Sequence, residues 1–130
     1  MSVPLTKILH IEDEPDIQEV AKMALEAVGG FTVKTCGSGS EALAVAQDYN
    51  PDLFLLDVMM PEMDGPTTFL KLRELPGLEN TPGVFMTAKV MESEVRRFLE
   101  LGAVGVLPKP FDPMTLSEQL REIWDKIEPV

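Results

Sequence analysis

One cysteine, Cys36, stands alone in 130 residues, so no internal disulfide can staple this chain. No apolar stretch approaches the roughly 20 residues that a bilayer-spanning helix needs. Basic residues are scarce: 11 against 22 acidic ones, a net charge of -11. Neither a phosphate backbone nor an anionic lipid surface attracts such a chain, which argues against direct nucleic-acid or membrane binding. Lys7 is the only early charge, and no signal-type apolar run follows it, so a reducing cytoplasm is the expected compartment. Linkers, charge blocks, low-complexity tracts and solenoid-length repeats are also missing. One domain over residues 1–130, with a core of about 6–127, is expected.

What is present is an alternation of short apolar runs with segments of helical period. Ile17, Val20, Ala21, Ala24, Leu25 and Val28 make one helical stripe, which Pro15 can start and Gly29-Gly30 can stop. Phe31 to Cys36 reads as a strand. Ala42, Val45, Ala46 and Tyr49 stripe a second helix that Asn50-Pro51 breaks. A third helix is expected from about Pro66 to Leu75, before Pro76-Gly77. A fourth carries Val95, Phe98 and Leu99 and closes at Gly102. The fifth follows Asp112-Pro113 and is striped by Leu116, Leu120, Ile123, Trp124 and Ile127. Five β-α units with short links predict an α/β fold. Right-handed crossovers then wind the helices onto both faces of a doubly wound parallel sheet.

Chemistry gathers at the strand ends. Leu53-Phe54-Leu55-Leu56 ends in Asp57, and four successive apolar residues suit a strand covered on both faces. Lys7 to Ile11 ends in Glu12-Asp13-Glu14, Val84-Phe85-Met86 ends in Thr87, and Val104 to Pro108 ends in Lys109. Ligands of such sheets bind beyond the carboxyl ends of the strands. With strand order 2-1-3-4-5, the first and third strands are neighbours at the switch point, and Glu12, Asp13 and Asp57 converge.

Four fragments in order carry a resemblance that covers essentially the whole chain. Ile-Glu-Asp-Glu-Pro at 11–15, Leu-Asp-Val-Met-Met-Pro-Glu-Met-Asp-Gly at 56–65, Met-Thr-Ala-Lys at 86–89 and Pro-Lys-Pro-Phe at 108–111 together resemble the CheY-like receiver domain of two-component response regulators. The resemblance implies a flavodoxin-like fold. It implies that Asp57 accepts a phosphoryl group from a histidine kinase or phosphotransfer protein, and that Glu12, Asp13, Asp57 and the main-chain carbonyl of Met59 hold Mg²⁺. The resemblance also implies that Thr87 and Lys109 bind the phosphoryl group and that the output is contact with a downstream protein target. By that resemblance the domain is expected to be a phosphoacceptor and not an enzyme, with self-catalysed phosphorylation and dephosphorylation compatible with that role.

The residue types suit that chemistry independently. A transferring phosphoryl group spreads negative charge over its equatorial oxygens, and a magnesium ion with a lysine neutralises it. Magnesium takes oxygen ligands and keeps several waters, which a partial set of carboxylates allows. Each residue also has a plainer reading. Asp13, Glu14 and Asp16 could simply favour a helix amino terminus. Asp57 could be a turn residue, Thr87 a helix cap and Lys109 a solvated lysine. Asp64-Gly65 reads as a turn in which glycine supplies a conformation closed to other residues. His10 reads as a packed side chain, Cys36 and the eight methionines as packing residues, and Lys109-Pro110 as a candidate cis peptide.

Departures from the family pattern sharpen the expectations. Glu12 replaces the usual aspartate, one methylene further out, so its metal contact can run through water. Val106 stands where many receivers carry a tyrosine or phenylalanine ring, which leaves no aromatic switch. Gly83 opens the fourth strand and suggests local weakness there. Met59 and Lys89 hold the positions that tune water access to the acyl phosphate. Three alternatives are weighed: a receiver excised from a hybrid kinase or larger regulator, a partner-binding pseudo-receiver, against which the complete set Glu12, Asp13, Asp57, Thr87 and Lys109 argues, and a haloacid-dehalogenase-like Mg²⁺ phosphatase. The last expects a second aspartate where Met59 stands.

Overall fold

A computed structural model describes residues 3–88 and 90–127; Lys89, one of the two expected tuning positions, lies outside them. Five parallel strands run β1 (Lys7–Ile11), β2 (Thr32–Cys36), β3 (Leu53–Asp57), β4 (Gly83–Thr87) and β5 (Gly105–Pro108), and they lie in the order β2-β1-β3-β4-β5. The expected doubly wound order is the observed one. Helices α1 (Pro15–Met23), α2 (Gly39–Tyr49), α3 (Gly65–Leu72), α4 (Glu92–Glu100) and α5 (Leu116–Asp125) follow the strands in turn. Among the described residues no helix is long and apolar enough to cross a membrane.

The sheet divides the apolar residues by parity. Ile8, Leu53, Leu55, Val84, Met86 and Leu107 pack toward α1 and α5, with Leu25, Leu116 and Leu120 above them. Leu9, Ile11, Phe54, Leu56 and Phe85 face α2, α3 and α4, against Ala42, Ala46, Phe69, Leu72 and Phe98. Every residue of β3 and β4 is buried, as strands covered on both faces must be.

Several local expectations need correction. The stripe of α1 does not continue to Val28, because Ala24–Val28 forms a π-helical turn with Gly29 N donating to Ala24 O at 3.2 Å. An i→i+5 bond takes an extra residue per turn and rotates the following side chains off the buried face. Val28 is therefore exposed, as is Val20, while Ala21, Ala24 and Leu25 are buried. The third helix stops at Leu72 and not near Leu75; tighter i→i−3 bonds, Glu74 N to Lys71 O and Leu75 N to Leu72 O, finish it. In α4 only Phe98 of the expected stripe is buried, and Leu99 faces out.

Gly83 and Gly65 serve close approach. A Cβ on Gly83 would lie 2.5 Å from the Phe69 ring, which packs edge-on against Phe54 and Phe85 at centroid distances of 6.4 and 5.6 Å. Gly83 is thus where an aromatic seats on the sheet, and not a weak point of β4. A Cβ on Gly65 would stand 2.2 Å from the Asp57 carbonyl oxygen. Gly65 has no positive φ; the left-handed conformation expected there is absent, and the contact excludes a side chain instead. Asp64 caps α3, its Oδ1 accepting from Thr67 N at 2.9 Å.

Candidate functional site at the carboxyl edge of the sheet

Strand register brings the site residues together. Ile11 pairs with Leu56, so Glu12 and Asp57 leave adjacent strands one residue beyond that pair. Asp57 pairs with Met86 and Thr87 with Pro108, which sets Thr87 and Lys109 beside Asp57. Lys109 N donates to Thr87 O at 2.9 Å, tying the two ends directly. The Lys109-Pro110 peptide is cis.

Lys109 reaches inward. Its Nζ lies 2.9 Å from Glu12 Oε1 and 3.1 Å from Asp57 Oδ1, with the Glu12 side chain fully buried and that of Asp57 6% exposed. The contact with Glu12 is one of charges at close range, since Glu12 Oε1 has no hydrogen bond of good direction. The other oxygen, Oε2, accepts from Glu14 N at 3.1 Å. Asp13 is half-buried, and among the described residues its carboxylate has no hydrogen-bonding partner. One oxygen each from Glu12, Asp13 and Asp57 lies within 4.8 Å of the others.

The electrostatics follow from crowding. Burial raises the carboxyl pKa of Asp57, the charges of Asp13 and Glu14 add to the rise, and the Lys109 ammonium opposes it. Glu12 is likewise raised by burial first, against the Lys109 ammonium and the bond from Glu14 N. For Lys109, burial favours loss of its proton, but the close carboxylates of Glu12 and Asp57 outweigh that and its pKa is raised. Among the described residues, three carboxylates thus face one contacting ammonium. An all-oxygen donor set with surplus negative charge fits a hard divalent cation, whose entry would reverse the upward carboxylate shifts.

An open cleft of about 1140 Å³ spreads from Asp57, Thr87 and Lys109 toward Glu94 and Arg97 of α4 and Val20 of α1. Met59 lies on its rim, 79% exposed, so the position two residues beyond Asp57 presents a thioether and not a second carboxylate. Val106 packs half-buried against the core. His10 is fully buried and neither ring nitrogen meets a protein partner; burial, then the Lys109 charge, lowers its pKa to about 4. Cys36 is buried, and that pushes its thiol up to about 11, consistent with a packing role.

One site residue had no signal in the sequence. Gln18, a turn into α1, donates from Nε2 to Glu12 O at 2.5 Å. A glutamine on a helix surface looks like any solvated residue, and only the return of α1 over the end of β1 gives it this partner.

Residues 8–121 match the family model described as the response regulator receiver domain. The chain is 39% identical over 119 residues to the transcriptional regulatory protein CpxR of Klebsiella pneumoniae, covering 92% of this chain and 49% of that protein. It is 34% identical over 123 residues to response regulator Rre1 of Synechocystis, covering 95% and 53%. The chain therefore spans about half the length of these relatives. Among solved structures, the chemotaxis protein CheY4 of Vibrio cholerae superposes with a TM-score of 0.85 at 31% identity, covering 92% of this chain and 98% of that one. Strand order, the carboxylate cluster at the switch point and these likenesses agree: the chain belongs to the response regulator receiver domain family, the phosphoacceptor module of two-component signalling.

Proposed function

We propose that Asp57 is the phosphoacceptor, and that residues 1–130 work as a single receiver charged by a histidine kinase or phosphotransfer protein in the cytoplasm. The observation that carries this reading is the position of Lys109 Nζ, 3.1 Å from Asp57 Oδ1 in a pocket shared with Glu12 and Asp13. An ionised Asp57 oxygen attacks the donor's phosphorus, the bond from phosphorus to the donor breaks, and an acyl phosphate results. Lys109 keeps Asp57 ionised against burial and then pairs with the added negative charge of about -1.5 to -2. The Thr87 hydroxyl donates to a phosphoryl oxygen. Glu12, Asp13, Asp57 and the Met59 carbonyl would hold Mg²⁺, Glu12 through water because both its oxygens already have partners. When bound, that ion supplies charge neutralisation at the transferring oxygens.

Output then runs through contact with a downstream protein, since the charge of -11 disfavours direct nucleic-acid binding. The role is that of a phosphoacceptor, with its own side chains assisting gain and loss of the group. Intact mass after incubation with Mg²⁺ and a small acyl phosphate donor tests the reading. One added phosphoryl group is expected with Mg²⁺, and none with chelator or in Asp57→Asn. Undiminished labelling of Asp57→Asn sinks the assignment, and steady turnover of a phosphate ester would favour the phosphatase reading.

A further inference from the structure

We infer that Gln18 is a positioning residue for the divalent-cation site, acting through the peptide that links Glu12 to Asp13; this rests on the metal reading above. The three candidate ligands are held in different ways. Glu12 is fixed by its side chain, between Lys109 Nζ and Glu14 N. Asp57 ends a fully buried strand and also contacts Lys109. Asp13 has neither support: it lies beyond the end of β1, half-buried, and its carboxylate has no bonding partner among the described residues. Its direction therefore depends on its main chain.

That main chain is clamped on two sides. Glu12 N donates to Cys36 O at 2.9 Å, the last sheet-like bond to β2. Glu12 O accepts from Gln18 Nε2 at 2.5 Å. The carbonyl of Glu12 and the amide of Asp13 belong to one rigid peptide plane, so holding the carbonyl sets the rotation from which the Asp13 side chain departs. Gln18 is itself anchored, its own N donating to Glu14 O at 3.0 Å in the first turn of α1. The amide thus links the helix that follows the acidic residues back to the peptide between them. Groups that orient a metal ligand without touching the metal commonly change affinity when removed.

Isothermal titration with Mg²⁺ of the wild type and Gln18→Met tests this, with melting temperatures taken in chelator. Methionine keeps the length of glutamine but cannot donate. Expected is a rise in the Mg²⁺ Kd of about tenfold or more. The chelator melting temperature should fall by no more than about 5 °C, the scale of one neutral hydrogen bond. A smaller change in Kd, or a larger loss of melting temperature, overturns the positioning role. Should Gln18→Met fail to fold, Gln18→Ala is read by the same criteria, and failure of both assigns Gln18 to the fold alone. A wild type that binds no Mg²⁺ overturns the metal reading itself and this inference with it, whereas a wild type that binds alongside an unaffected variant overturns only the inference.

Discussion

A Cβ on Gly65 would stand 2.2 Å from the carbonyl oxygen of Asp57, so the start of α3 lies directly against the main chain of the phosphoacceptor candidate. Gly65 N also donates to Val58 O at 2.8 Å, which leaves little freedom to move apart. Gly65→Ala should cost about 1–3 kcal/mol, the range for overpacking a fixed site, and slow phosphorylation by displacing the Asp57 peptide. Urea denaturation and labelling rates check both, and wild-type behaviour in both would remove the steric argument.

Gly83 makes a similar prediction on the opposite logic to strand propensity. A branched side chain suits a β-strand in general, yet here it would enter the Phe69 ring at 2.5 Å. Gly83→Val should therefore destabilise by about 1–3 kcal/mol in urea. A stabilised variant would return Gly83 to its reading as a weak point.

Magnesium should stabilise the folded chain, because Glu12, Asp13 and Asp57 crowd within 4.8 Å with the Lys109 ammonium against them. The gain is about 2.7 kcal/mol at a hundredfold excess over Kd. Asp13→Ala should lose most of it. Identical melting curves in chelator and Mg²⁺ for the wild type would show that no such site forms.

His10 sets an acid limb. Its folded pKa of about 4 lies below the ordinary histidine value of 6.5, so the unfolded chain binds the proton first as pH falls. Stability from the neutral imidazole is complete above pH 6.5 and is lost on acidification toward 4. Glu12 and Asp57, raised by burial, act the other way: the folded chain binds their protons first, so acidification through their folded values favours folding. Comparison with His10→Leu isolates the histidine. The advantage of the variant should grow by about 2 kcal/mol between pH 7 and pH 5 in chelator, from 1.36 kcal/mol per unit over about 1.5 units. A constant difference would mean that His10 accepts its proton while buried.

Val106 removes a ring movement but leaves the loop after β4 free to respond. Thr87 and Lys109 need only a hydroxyl and an ammonium within hydrogen-bond reach of phospho-Asp57. Amide exchange with and without a phosphoryl mimic should change most over 87–94 and in the adjoining α4, β5 and α5. Changes confined to α1 and α2 would rule out that output face.

Period and punctuation determined the element types, their order and which residues end the strands, Glu12, Asp13, Asp57, Thr87 and Lys109 among them, because buried strands and the residues that close them are local patterns; the roles expected of those residues came from the family resemblance. Short apolar runs ending in charged residues say where a parallel sheet carries its ligands. Tertiary structure decided everything that depends on what lies across a contact. The bridge from Lys109 to Glu12 and Asp57, the Gln18 bond to the Glu12 carbonyl and the unpartnered ring of His10 join residues whose partners no spacing rule specifies. Gly65 and Gly83 look like backbone devices in the sequence, but they are set by the Asp57 carbonyl and the Phe69 ring. The exposure of Val28 follows from a π turn that inserts a residue into the helical repeat. Local propensity chooses the element; only packing shows which atoms stand opposite.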